Sequence, residues 1–186
     1  NLYGDVPLLL EPSSGSNIRF DFERTSAATI QLQIIDDLEF AALHLPTVPP
    51  ASGKVSKGVA QIYLGRVYLA KAGKSAPYNQ ADLQKAKGHV SDLINNGPFA
   101  IMTERFGVQA NEPGTVFSDL FIDGNETFES GNTETVWSFQ NEYSLSAVAE
   151  NHNIMRRWNV NRYYNFGLAI TDERGGRGIG RHGPTN

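Results

Sequence analysis

Between Met155 and Gly167 the chain reads MRRWNVNRYYNFG, with one Trp, two Tyr, one Phe, three Arg and three Asn in thirteen positions. Asn carries a donor and an acceptor on one amide, and Arg carries a planar fork of donors. Those groups match the vicinal hydroxyls of a sugar, while an aromatic face covers the C–H surface of its ring. The stretch therefore predicts a ligand platform, with Trp158, Asn161, Arg162, Tyr163 and Tyr164 as its binding residues. As a strand it would place Trp158, Val160, Tyr164 and Phe166 on one face, interrupted by Arg162, and Asn159, Asn161, Tyr163 and Asn165 on the other. An amphipathic strand with one side on a core is the plainer reading. The two are compatible, because a strand buries one face and presents the other.

Other chemistry-bearing patterns are weaker. Gly178, Gly180 and Gly183 have the spacing of a dinucleotide fingerprint, but Pro184 follows at once and no strand precedes them. The run RGGRG at Arg174 to Gly178 is a single copy of an RNA-binding composition on an acidic chain. Asp123, Asn125 and Thr127, with Glu129 and Glu134 beyond, mimic a calcium loop, yet Phe128 stands where the sharp turn needs Gly. An acidic hydrated loop is expected there. The four histidines, His44, His89, His152 and His182, lack the spacing of a helical metal pair. His44 and His89 are expected at helix surfaces or caps. No G-x-S-x-G elbow occurs. Neither an enzyme nor a bound metal or cofactor is expected, although a carboxylate pair for glycoside hydrolysis depends on a separation in space that a sequence does not give.

The chain has 186 residues, 40% hydrophobic and 19% charged, enough for one domain with a core. Its net charge of −4 argues against a general nucleic-acid binder. Residues 151–186 hold six Arg against Asp172 and Glu173, a surplus of four, which leaves about −8 for the first 150. With no Cys, no disulfide, thiolate metal site or cysteine nucleophile is available. No apolar run approaches the roughly 18–20 residues that span a bilayer, and no signal peptide is visible. The start at Asn1 reads as part of a longer protein.

Three helices are expected to hold the platform. The first runs from Ala27 to Leu45, capped by Thr25 or Ser26 and stopped by Pro46, with Ile35, Leu38, Ala42 and Leu45 inward and Ile30 and Ile34 beside them. Asp36, Asp37 and Glu39 fall on its solvated side. The second spans about Ser56 to Ala72, with Val59, Ile62, Tyr63, Val67 and Leu69 or Ala70 inward. Gly65 within it implies close approach of a neighbouring helix, since Gly inside a helix costs up to about 1 kcal/mol relative to Ala. The third runs from about Ala81 to Asn95, with Leu83, Ala86, Val90, Leu93 and Ile94 inward, and pairs antiparallel with the second. Leu64-Gly65-x-x-Tyr68, with Ala86 and Pro98 twelve apart, resembles one tetratricopeptide unit with a lengthened turn. A single unit cannot bury its own face. Beyond Pro98 the helical period fades, and Thr133 to Gln140 reads as a short strand. The fold class is mainly α: divergent tetratricopeptide-like helix pairs with long loops and a short β element.

Four strings occur in an order that resembles the SusD/RagB family: YGDVPLLLEP (Tyr3 to Pro12), IIDDLEFAALHLP (Ile34 to Pro46), SKGVAQIYLGRVYLAKAG (Ser56 to Gly73) and NTETVWSFQ (Asn132 to Gln140). The resemblance resumes at GPTN near the end. It implies a surface lipoprotein of the bacterial outer membrane that takes part in polysaccharide utilization. Such a protein captures oligosaccharide, or a peptide, and delivers it to a TonB-dependent, SusC-like transporter for glycan uptake. It implies a helical scaffold portion at 1–140 and a loop-rich ligand-binding region at 141–186 within one domain. Measured against the family, the chain reads as an internal fragment, attached to the membrane only through a lipid anchor missing from this chain. The alternative is a tetratricopeptide-type scaffold that grips a protein or peptide. The binding residues at Trp158 to Tyr164 come from side-chain chemistry, because no motif of the family fixes them.

Overall fold

The computed structural model describes residues 3–12, 20–138, 165, 167 and 169. The chain divides into two compact units, Asn1–Ser138 and Phe139–Asn186. The helices named below lie in the first unit, and the fold is mainly α, as expected.

Helix α1 spans Ala27–His44. Ser26 caps it, its Oγ accepting from the Thr29 N–H at 3.1 Å. The Asp5 carboxylate accepts from the Ala27 N–H at 2.8 Å, so two orphan donors of the first turn are satisfied. An isolated bridge between Val6 and Thr25 holds the N-terminal segment beside this helix start. Helix α2 spans Lys57–Ala72 and ends at Gly73. Helix α3 spans Gln80–Asn96, capped by Asn79, whose Oδ1 accepts from the Asp82 N–H at 3.1 Å.

Side-chain pairing fixes the direction of the second and third helices. Gln61 donates to Asp92 near one end of α2, and Lys71 reaches Asp82 near the other, so α2 and α3 run antiparallel. Helix α1 pairs with α2 in the same sense: Gln31 meets Lys74 at one end, and the Lys57 N–H donates to Pro46 O at the other. The central helix therefore packs a neighbour on each side.

The core gathers Ile35 from α1, Leu64 and Tyr68 from α2, and Ala86 from α3, with Leu38, Ala42 and Val67 packed around them. Three of the five tetratricopeptide-like signature positions, Leu64, Tyr68 and Ala86, thus meet in one cluster. Gly65 is buried among them, and a Cβ there would stand 2.6 Å from Val90 Cγ2. Close approach of α2 and α3 is the physical reason for that glycine, as the sequence implied.

The inward face of α2 is phased differently from its expected stripe. Tyr63 is 41% exposed and Leu69 59%. The buried side is Gly58, Val59, Ala60, Gln61, Leu64, Gly65, Tyr68 and Ala72. Gly58, Ala60, Gly65 and Ala72 take inward positions beside Val59, Leu64 and Tyr68 because two helices must come close to the same rod, and Tyr63 and Leu69 turn to its free side. On α3, Ala86 and Leu93 are buried as expected, but Ile94 is exposed and Asp82 is buried in a bidentate pair with Lys71. The expected strand at Thr133 to Gln140 is irregular over residues 133–138, and 139 and 140 lie outside the described residues. Thr133 instead clasps Ala100, whose N–H donates to Thr133 O at 3.0 Å.

The caps of α1 and α2 give opposite expectations. Ser56, the residue before α2, is fully buried, makes no capping bond and leaves its Oγ without a hydrogen-bond partner among the described residues. Ser26→Ala should lower stability by about 1 kcal/mol. Ser56→Ala should be within about 0.5 kcal/mol of neutral or stabilising, because it removes an unsatisfied buried hydroxyl. Urea melts of the two variants side by side check the contrast.

Candidate functional site

The loops that follow α3 are built on a knot of buried polar side chains. Asp119, Asn125 and Asn132 are each fully buried. A short helix α4, Val116–Asp119, begins at Thr115 in a capping box with Ser118, and a 3-10 turn at Phe128–Ser130 begins the same way with Thr127 and Ser130. The first of these turns delivers Asp119 to Arg105. The Arg105 guanidinium grips the Asp119 carboxylate with two donors, Nε to Oδ2 at 2.6 Å and Nη2 to Oδ1 at 2.9 Å. Its other N–H groups reach Glu112 O and Gln109 O, both at 2.7 Å. Phe106 N–H adds a third donor to Asp119.

Asn125 continues the knot. Its Nδ2 donates to Asp119 O at 2.9 Å and Phe106 O at 3.3 Å, and its Oδ1 accepts from Val108 N–H at 3.0 Å. Asn132 donates to Asn125 O and accepts from the Glu134 and Thr135 N–H groups. Gly107 lies against this amide with φ at +74°, and a Cβ there would collide with the Asn125 side chain. Loops cannot bury backbone groups without partners. Three side chains and one arginine supply those partners here.

The Arg105 hydrogen bonds hold the Asp119 carboxyl below its ordinary 3.8, a direction that burial opposes and the Phe106 N–H reinforces. A carboxyl depressed in the folded state contributes stability above its unfolded pKa and loses it as pH falls through the folded value. The loop region should therefore weaken below about pH 4. Asp119→Asn should start less stable at pH 7 and show a flatter acid limb in thermal melts between pH 5 and 2. An acid limb of unchanged slope would contradict this role.

Exposed aromatic side chains sit on the knot. Phe117 and Phe121 are 71% and 72% exposed and meet edge to face, with centroids 5.1 Å apart. A crevice lined by Gly53, Phe128 and Trp137 lies beside the loop before α2, and Trp137 Nε1 donates to Gly53 O at 3.0 Å. Its volume of about 20 Å³ has room for a water and is far too small for a sugar ring.

A second polar cluster ties the helices together. Glu39 of α1 accepts from the Tyr68 hydroxyl at 3.0 Å and lies 3.2 Å from His89 Nε2. The Tyr68 and His89 rings stack with centroids 5.8 Å apart, and Lys85 lies over the Tyr68 ring. Burial, then the hydrogen bond to Glu39, pushes the Tyr68 phenol up to about 12. The phenol stays protonated and donates, so the cluster works as a tie. It also corrects two expectations: Glu39 is a bridge across three helices, and His89 is half-buried inside it, while Asp36, Asp37 and His44 are exposed.

The residues expected to bind ligand, Trp158, Asn161, Arg162, Tyr163 and Tyr164, lie outside the described residues. So do the glycine pattern ending at Gly183 and the RGGRG run. The calcium-like spacing has a different use. Asn125 is a buried strut, Thr127 is a cap, and Glu129 accepts from Ser52 Oγ at 2.7 Å. Glu134 accepts from Met102 N–H at 3.1 Å. No group of three or more His, Asp or Glu suited to a metal occurs among the described residues. None of the described helices is long and apolar enough to cross a membrane. Arg105, Asp119 and Asn132 were not legible as a set, because they are brought together across turns whose bounds are set by the Thr115 and Thr127 caps.

The chain is similar to a SusD-like protein of Formosa agariphila, at 26% identity over 140 residues, covering 74% of this chain. The chain spans 22% of that relative's length. No family model matches the chain, and no solved structure matches it.

Proposed function

We propose that this chain is the scaffold and part of the ligand-binding region of a SusD-like protein. It binds oligosaccharide at the bacterial cell surface and delivers it to a TonB-dependent, SusC-like transporter. The observation that carries the reading is the similarity to a SusD-like protein across 140 residues, together with the mainly helical fold. In this reading residues 1–140 hold the loops still and residues 141–186 face the ligand. A lipid anchor elsewhere in the protein keeps it at the outer membrane.

The work is capture without a chemical step. Trp158, Tyr163 and Tyr164 offer ring faces to the C–H surface of a sugar, and Asn161 and Arg162 offer hydrogen bonds to its hydroxyls. A solvent-open site of this kind binds with a Kd of about micromolar to millimolar, since stacking area and a few hydrogen bonds must offset the loss of ligand freedom. Isothermal titration of the chain with a panel of neutral and acidic oligosaccharides tests this. Saturable binding in that range by at least one glycan is expected. Heat from peptides alone, or reducing ends released from polysaccharide, would replace the reading with a peptide scaffold or a hydrolase.

A further inference from the structure

A groove of about 490 Å³ runs between α1 and α2 on the side away from α3. Its floor is apolar: Ile30 and Ile34 from α1 face Tyr63, Val67 and Ala70 from α2. Ile34 and Tyr63 are half-exposed within it, so this is apolar surface that the described fold leaves open to water. The charges at its edge have one sign. Arg66 and Lys74 line it, and no Asp or Glu does. Arg66 lies 5.8 Å from the centre of the Tyr63 ring, and Lys74 Nζ donates to Gln31 Oε1 at 2.6 Å. Neither pairs with a carboxylate among the described residues. Asp5, next to the groove's Gly4, is engaged by the Ala27 N–H. Two uncompensated cations beside an apolar channel stand out on a chain whose first 150 residues carry about −8.

We infer that this groove seats an amphipathic α-helix of a separate partner protein, with its apolar stripe in the channel and acidic residues along one flank. Two helical walls side by side leave a channel into which the ridge of a third helix fits, with anchors at i, i+3 or i+4, and i+7. Arg66 lies on α2 and Lys74 two residues beyond its end at Ala72, so the two cations stand at separate points along the groove. This site lies in the helical unit and is independent of the proposed glycan platform.

The test uses two fluorescein-labelled 16-residue peptides with one Leu/Ala stripe, flanked by Glu in one and by Lys in the other. Fluorescence anisotropy against the 186-residue chain should show the Glu peptide binding at least tenfold more tightly. Arg66→Glu with Lys74→Glu should reverse that order, and Ile34→Asp should weaken the Glu peptide at least tenfold with the circular dichroism spectrum unchanged. Equal affinity for the two peptides, or groove variants with no effect, would overturn the inference. So would dimerisation in sedimentation velocity that Ile34→Asp abolishes, since the occupant would then be a second copy. Unaltered glycan binding by the Arg66→Glu, Lys74→Glu variant keeps the two proposals distinguishable.

Discussion

Leu64→Ala should lower the unfolding free energy by about 3 kcal/mol, within the range for emptying a fully buried leucine site. Leu64 has no exposed surface and sits where Ile35, Tyr68 and Ala86 converge. Three helices contribute to that cluster, so the cavity cannot be closed by moving one side chain. Gly65, beside it, already places α2 and α3 at closest approach, with Val90 against the backbone, and blocks further collapse. Denaturant melts followed by helical circular dichroism measure the loss. A change below about 1 kcal/mol would mean that the three helices do not share one core.

Asn125→Ala should be of similar size, about 3 kcal/mol, for a different reason. It removes no large apolar volume. It strips partners from Asp119 O, Phe106 O and Val108 N–H, which lie in or beside the buried knot, and each unsatisfied group costs about 1–3 kcal/mol. The local signature should differ as well. Amides from Arg105 to Thr135 should exchange faster with solvent, while those of α1, α2 and α3 keep their protection. Uniform loss of protection in helices and loops alike would show that the knot is part of the same cooperative core.

The helices were the most legible part of the sequence because their ends are written in local chemistry. Ser26 and Pro46 bracket α1, Gly73 ends α2, and Asn79 opens α3. Which face of α2 turns inward was less legible. Hydrophobicity alone favours Tyr63 and Leu69, yet a rod with helices on two sides needs small residues where they approach, and Gly58, Ala60 and Gly65 supply them. Periodicity counts apolar residues and does not weigh how near a neighbour must come.

The loop knot was hidden for a related reason. Asn125 and Glu134 fit a cation-loop spacing, but their side chains bond backbone groups up to 32 residues away, and a one-dimensional pattern does not distinguish a strut from a ligand. Asp119 and Arg105 lie fourteen residues apart with no recurring motif between them. Side-chain composition did suggest a platform at Trp158 to Tyr164, where donors and rings alternate, and that expectation is now a proposal with a direct test.

That test rests on there being two tryptophans in the chain, Trp137 and Trp158. Replacing Trp137 with Phe leaves Trp158 as the sole indole reporter. Titrating this variant with the oligosaccharide panel should shift its emission saturably, at the same concentrations that give heat in calorimetry. Unchanged Trp158 emission with a glycan that calorimetry shows to be bound would contradict the account.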